Sequence, residues 1–295
     1  MSEVISIQNL SKTFGKKQVL NNVNLSISAG VVYALVGKNG VGKTTLLRTL
    51  LGLEIPTSGE SKVFDLNSQK YDWKIRQRVG YVAEGLQMYE WMTIREILWF
   101  VSRFYPTWDF EYEKQLVEKF SLDRKAKIKH LSRGFKSKLL LTMAMAHRPQ
   151  LLILDEATSG LDVAVRREFL ECVVETVEKE GHTVIISSHL LQDVERIADS
   201  IGFLHNGKIE KTYSVDELKN TFRKVQVSFD VYPENIELEG VLHQQQLGRE
   251  CMLTIRDYNQ LHEKALREMG GKDIRIVHMS LEDVFVECLT EEAII

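Results

Sequence analysis

Residues Gly37-Lys38-Asn39-Gly40-Val41-Gly42-Lys43-Thr44 spell G-x-x-x-x-G-K-[ST] without a break. These residue types, in this order, suit a polyphosphate. The glycines let the backbone turn successive amides inward as an anion nest. A helix that starts at the end of the loop adds its partial positive charge. Lys43 can reach the β- and γ-phosphates, and the Thr44 hydroxyl is a hard oxygen ligand for Mg2+. Thr45 continues the same turn. The bland alternative is a chance glycine turn, but a buried strand before the loop and an amphipathic helix after it are what the motif requires. The loop predicts a nucleotide site without saying which nucleotide triphosphatase it serves.

A second constellation lies downstream. Leu151-Leu152-Ile153-Leu154 runs straight into Asp155-Glu156. Carboxylates at the end of a buried strand are expensive to desolvate, so their position calls for a function. Ligands of parallel sheets sit at strand C-termini. Asp155 suits the metal, directly or through water. Glu156 suits polarising or deprotonating an attacking water. The competing reading is a pair of acids capping a helix.

Several elements must hold these groups. Val4–Ile7 is short and β-branched, and Asn22–Ile27 alternates with period two. Val31–Val36 is a continuous apolar run, suited to a strand covered on both faces. A helix follows the glycine loop, with Leu46, Leu47, Leu50 and Leu51 on one face and Gly52 at its end. Further helices are predicted over Thr93–Tyr105, over Gly134–His147 and around the stripe Phe169, Leu170, Val173, Val174, Val177. Thr183–Ser187 is a third buried strand. Ile201–Glu210 reads as a hairpin about Asn206-Gly207. Alternating strands and helices imply a parallel α/β core. Near residue 216 the texture changes: strands over 225–231, 241–256 and 274–277 enclose a helix over 258–269. The expected division is therefore 1–215, then a small α+β domain over 216–295.

At this point the order of motifs resembles the ATP-binding-cassette family over roughly residues 1–215. Leu131-Ser132-Arg133-Gly134-Phe135 resembles the family signature LSGGQ. Ser159-Gly160-Leu161-Asp162 resembles the D-loop, Ser187-Ser188-His189 the switch histidine, and Lys12-Thr13-Phe14-Gly15 the adenine-stacking A-loop. Tyr81-Val82-Ala83-Glu84 stands where the family has its Q-loop. The resemblance implies a P-loop cassette with a mixed sheet and a helical subdomain at about 86–148. It implies ATP and Mg2+ as cofactors, with Phe14 against adenine and the loop from Gly37 to Thr45 around the phosphates. Thr44, Glu84 and Asp155 would serve the metal. Lys43, Glu84, Glu156 and His189 would serve hydrolysis, and Ser132, Gly134 and Asp162 would act across a head-to-tail pair of cassettes.

Two motifs depart from the pattern: the signature, which reads Ser132-Arg133-Gly134-Phe135 where the family has Ser-Gly-Gly-Gln, and the Q-loop. Arg133 replaces a glycine, bringing a guanidinium to a phosphate-binding edge. Glu84 replaces a glutamine; a carboxylate can approach Mg2+ but cannot donate as an amide does. The tail Ser280-Leu281-Glu282-Asp283-Val284-Phe285-Val286 resembles ATPase subunits of bacterial peptide, antibiotic and lantibiotic exporters, in which the permease is a separate chain. The resemblance then implies an exporter ATPase, peripheral on the cytoplasmic face of the membrane. Its permease would dock near residues 84–108, a stretch rich in aromatics and methionine (Met88, Tyr89, Trp91, Trp99, Phe104, Trp108). Most of those side chains are expected in the core of the helical subdomain.

Composition narrows the alternatives. The 295 residues are 44% hydrophobic and 27% charged, an ordinary globular balance that excludes disordered and disulfide-scaffold classes. A net charge of −3 offers no basic field for nucleic acid. Three scattered cysteines suit reduced thiols. No signal peptide and no spanning run is expected, so a membrane role would come through a partner. Two other readings stay open: a soluble cassette ATPase in translation or repair, and a regulatory cassette that binds ATP with little hydrolysis. The C-terminal 80 or so residues carry no catalytic constellation, and Arg249, Glu250 and His262 read as solvated faces.

Overall fold

The apolar runs become strands because burying both faces of the pleat removes them from water. In a computed structural model, which describes residues 3–233, 236–277 and 279–284, the chain divides into two compact units, Met1–Thr212 and Tyr213–Ile295. The expected boundary at 215 falls at the start of a helix. Ser214 caps that helix by accepting from the Glu217 amide, so the second unit begins just before it.

The first unit opens with β1 (Glu3–Phe14) and β2 (Lys17–Ser28), an antiparallel hairpin much longer than its apolar segments suggest. Then come β3 (Val32–Val36), α1 (Lys43–Leu50), β4 (Ser58–Val63), β5 (Leu66–Asn67), α2 (Asp72–Arg76) and β6 (Val79–Ala83). Three helices follow, α3 (Ile94–Ser102), α4 (Phe110–Lys119) and α5 (Arg133–Met145). The unit closes with β7 (Leu151–Asp155), α6 (Val163–Glu180), β8 (Thr183–Ser188), α7 (Leu191–Ile197), β9 (Ser200–His205) and all but the last two residues of β10 (Lys208–Ser214).

Two sheets result. One has the order β2-β1-β4-β5, and the other β10-β9-β3-β8-β7-β6. In the second, β9, β3, β8, β7 and β6 run parallel. Asn206 and Gly207 make the turn from β9 to β10, both with positive φ (46° and 76°), as a type I′ turn needs. Every residue of β3, β7 and β8 is buried. The register aligns their C-terminal ends: Val36 lies beside Ser188, Asp155 beside Ser187, and Ala83 beside Asp155. Whatever follows these four strands therefore emerges at one edge.

The second unit contains α8 (Val215–Thr221), β11 (Phe222–Phe229), β12 (Val241–Leu247), β13 (Glu250–Arg256), α9 (Gln260–Glu268) and β14 (Gly271–Val277). Its strands form one antiparallel sheet, β12-β13-β11-β14. Val225, Val227, Phe229, Cys251, Leu253 and Leu266 make its core. His262 is half-buried and does more than face solvent. Its Nδ1 accepts from the Asn259 amide at 3.2 Å and completes the capping box of α9. Arg249 and Glu250 are exposed, as a solvated face requires, and Glu250 accepts from the Gln226 side chain at 2.7 Å. Of the tail motif, Phe285 and Val286 lie outside the described residues, as does Cys288.

Among the described residues no helix is long and apolar enough to cross a membrane.

Candidate functional site

The glycine loop leaves β3 at Gly37, where a Cβ would stand 2.5 Å from the Leu204 carbonyl oxygen, so the chain passes too close to β9 for any side chain. It enters α1 through Gly42, whose φ of 118° belongs to glycine. Lys43, the first residue of α1, is buried. Its ammonium donates to the carbonyl oxygens of Gly37 at 2.6 Å and Lys38 at 3.3 Å. It also lies 3.0 Å from Oε1 of Glu156.

Glu156 holds an unusual backbone conformation, φ 51°, directly after β7. A non-glycine residue there is strained and needs fixed surroundings. Its amide donates to Ser187 Oγ at 3.0 Å, and Ser187 Oγ in turn donates to Asp155 Oδ1 at 2.7 Å. One hydroxyl thus fixes both acids. The other carboxylate oxygen of Glu156 is 2.7 Å from Nδ1 of His189. With Glu156 ionised, Nδ1 carries the proton and donates it to that bond. Lys43, Glu156 and His189 therefore form a continuous chain of contacts at the sheet edge, as the spacing of their motifs requires. In the sequence, Ser187 is legible only as the polar end of an apolar strand.

Tyr81 on β6 adds a contact that the sequence does not suggest: its hydroxyl donates to Asp155 Oδ2 at 3.4 Å. Burial, then the neighbouring Asp155 charge, holds the Tyr81 phenol well above its ordinary range, so it stays a donor. The Glu84 amide donates to the Asp155 carbonyl at 2.8 Å, and this extends the β6–β7 ladder to Glu84.

A cavity of about 360 Å³ lies on these groups, lined among others by Asn39, Gly40, Lys43, Thr44, Thr45 and Glu84, with Glu156 and Val19. Thr44 and Glu84 offer hard oxygens to it, and Asp155 lies one residue from Glu156. Among the described residues no group of three or more His, Cys, Asp or Glu is arranged to enclose a metal by itself. A few hard oxygens beside a phosphate cradle suit Mg2+, which keeps waters and takes further ligands from phosphate. The donor set therefore fits that ion.

The remaining expected site residues lie elsewhere in the chain. Phe14 ends β1, is 46% exposed, and carries the Lys12 ammonium 4.6 Å above its ring. It does not line the cavity, although Val19 on the paired strand does. The Ser132 hydroxyl caps α5 by accepting from the Phe135 amide at 3.3 Å. Gly134 packs on Val165, where a Cβ would be 3.1 Å from a methyl group. Asp162 caps α6, accepting from the Val165 amide at 2.9 Å. These three residues do not enter the cavity formed by their own chain. Arg133 turns to Glu84: its Nη2 donates to Oε1 at 3.0 Å.

Residues 20–159 match the family model described as ABC transporter. The chain is 31% identical over 284 residues to the ABC transporter ATP-binding protein YtrB of Bacillus subtilis (strain 168), covering 96% of this chain and 97% of that one. It is 31% identical over 303 residues to the bacitracin transport ATP-binding protein BcrA of Bacillus licheniformis, covering 98% of each. A solved structure described as the ATP binding subunit of an ABC transporter superposes with a TM-score of 0.67 at 29% identity, over 73% of this chain and 92% of that one.

Proposed function

The chain belongs to the ABC transporter family, and from that premise we propose that it hydrolyses ATP to power a separate membrane permease that exports amphipathic antibiotics or peptides. The observation that carries the ATPase reading is the run of contacts Lys43–Glu156–His189 beside the glycine loop. Lys43 and the loop amides neutralise the β- and γ-phosphates. Thr44, Asp155 and Glu84 would hold Mg2+, which would supply further charge neutralisation. Glu156 takes a proton from a water whose oxygen bonds to the γ-phosphorus. The bond to the bridging β–γ oxygen breaks, leaving ADP and inorganic phosphate. His189 keeps the Glu156 carboxylate turned toward that water. Little covalent chemistry falls to the protein; positioning and charge do most of it.

Phe14 offers an exposed ring face to adenine. Ser132 and Gly134 serve a second cassette: their helix N-terminus meets the γ-phosphate held by the mate's loop, and Asp162 supports that junction. The cargo class is supported by the name of the bacitracin-transport relative. A place on the cytoplasmic face of the membrane follows from the permease partner.

The docking surface is supported by an apolar groove of about 270 Å³, lined by Leu86, Val101, Tyr105, Leu140 and Met143 among others. Tyr89, Trp91, Trp99 and Phe104 stand exposed on the same segment, whereas Trp108 is buried. Tyr105, which lines the groove, stacks on His147 with ring centroids 3.9 Å apart. Burial lowers the His147 pKa to about 4, so the ring behind Tyr105 is neutral at neutral pH. Trp91 is 66% exposed, so Trp91→Glu should leave the fold and basal ATPase intact. It should weaken retention on membranes carrying the permease by about tenfold or more, as loss of an aromatic anchor does. Undiminished co-purification with membranes would remove Trp91 from the interface.

A further inference from the structure

We propose that Arg133 is a positioning residue for nucleotide binding, whose task is to neutralise Glu84 at the wall of the phosphate cavity. This rests on the reading that the cavity beside Lys43 takes a nucleotide. Three observations carry it. Glu84 is fixed by its amide to the end of β7, and its side chain lines the same cavity as Lys43, Thr44 and Glu156. Its Oε1 accepts from Arg133, which sits 49 residues away in the first turn of α5. The guanidinium lies against Gly160, where a Cβ would collide with it, and φ there is +65°. Glycine at 160 suits that φ and leaves open the space the guanidinium occupies. A single side chain joins the loops that follow β6 and β7 to the start of α5.

The charge pattern gives the contact its meaning. The cavity wall carries two carboxylates, Glu84 and Glu156, facing a site for a highly charged anion. Lys43 stands on Glu156 and Arg133 on Glu84. Each acid of the cavity wall has its own cation, so neither Glu84 nor Glu156 faces an entering triphosphate uncompensated. Of the positions at which the chain departs from the family's motifs, Glu84 in the Q-loop and Arg133 in the signature touch each other. A glutamate at 84 is tolerated because an arginine stands at 133.

The test is a double-mutant cycle read by equilibrium binding of the fluorescent analogue TNP-ATP without Mg2+, so that neither turnover nor metal enters the readout. Arg133→Ala should weaken binding by about fivefold, the upper range for a half-exposed ion pair. Glu84→Gln/Arg133→Ala should return affinity to within about twofold of the wild type, because the charge that needed its partner is gone. The loss in Arg133→Ala should also shrink at about 1 M salt. An equal loss in the single and double variants would overturn the proposal, since Arg133 would then act on the phosphate directly or through packing. Unchanged affinity in Arg133→Ala would overturn it too. Unchanged melting temperatures exclude a folding defect as the cause of any loss. If the wild-type chain bound no TNP-ATP, the nucleotide-binding reading itself would fall, and this inference with it.

Discussion

Glu156→Gln should keep ATP binding and lower ATP turnover by about 10²–10⁴, the usual worth of a positioned general base. The substitution is close to isosteric. An amide at 156 can still reach Lys43 and His189, so the backbone at φ 51° and its bond to Ser187 have no reason to move. What the amide lacks is the capacity to accept a proton. The loss should therefore appear in kcat with KM nearly unchanged, the pattern of an interaction made in the transition state. Single-turnover kinetics and equilibrium binding measured on the same preparation separate the two. A wild-type rate in Glu156→Gln would remove Glu156 from that role and return the pair Asp155-Glu156 to a purely structural reading.

Lys43→Ala should act on binding itself. Its ammonium is 5% exposed and holds the Gly37 carbonyl, the Lys38 carbonyl and Glu156 together. Removing it takes away the cation aimed at the phosphates and leaves Glu156 with His189 as its remaining side-chain partner. Truncating one partner of a desolvated charge pair usually costs about 2–5 kcal/mol, so affinity for a non-hydrolysable ATP analogue should fall by about 10²-fold or more. Lys43→Arg should recover little, because a planar guanidinium does not fit where a compact ammonium meets two carbonyls of a tight loop. Calorimetric titration checks both. Full affinity in Lys43→Ala would show that the loop amides alone hold the triphosphate.

The parts of this site that sequence discloses are those whose chemistry is local. The glycine loop spans eight consecutive residues, and its conformation follows from them. The acidic strand is legible because carboxylates are costly to bury, and here an apolar run ends in two of them. Strand register then does the remaining work: it places Gly37, Glu84, Asp155 and His189 at one edge, and alternating strands and helices imply such a sheet in advance. The Arg133–Glu84 contact is different in kind. It joins residues on separate elements, and nothing in either segment alone specifies its partner. The Tyr81–Asp155 bond depends on neighbouring strands in the same way.

Several elements are hidden in the sequence for physical reasons. Strand β6 is short and holds Gly80, which reads as a break; yet its lack of a side chain is what lets the Ala144 carbonyl approach. Helix α4 has few buried apolar residues, and its signal is the Asp109 cap rather than a stripe. The start of α3 carries a readable sign, Thr93 and Glu96 in a reciprocal capping box. His262 reads as solvated because a histidine at the third position of a helix is not the usual capping partner.

Coupling of hydrolysis to transport requires that nucleotide bound in the loop of one chain draw in Ser132 and Gly134 of another. Sedimentation velocity of Glu156→Gln with saturating ATP and Mg2+ tests this most directly, because hydrolysis cannot then release the pair. The expected result is a species of twice the chain mass that reverts to a single chain when ATP is removed or when Ser132 is replaced by a bulky residue. A single-chain species at every nucleotide concentration, in a protein shown to bind ATP, would contradict it.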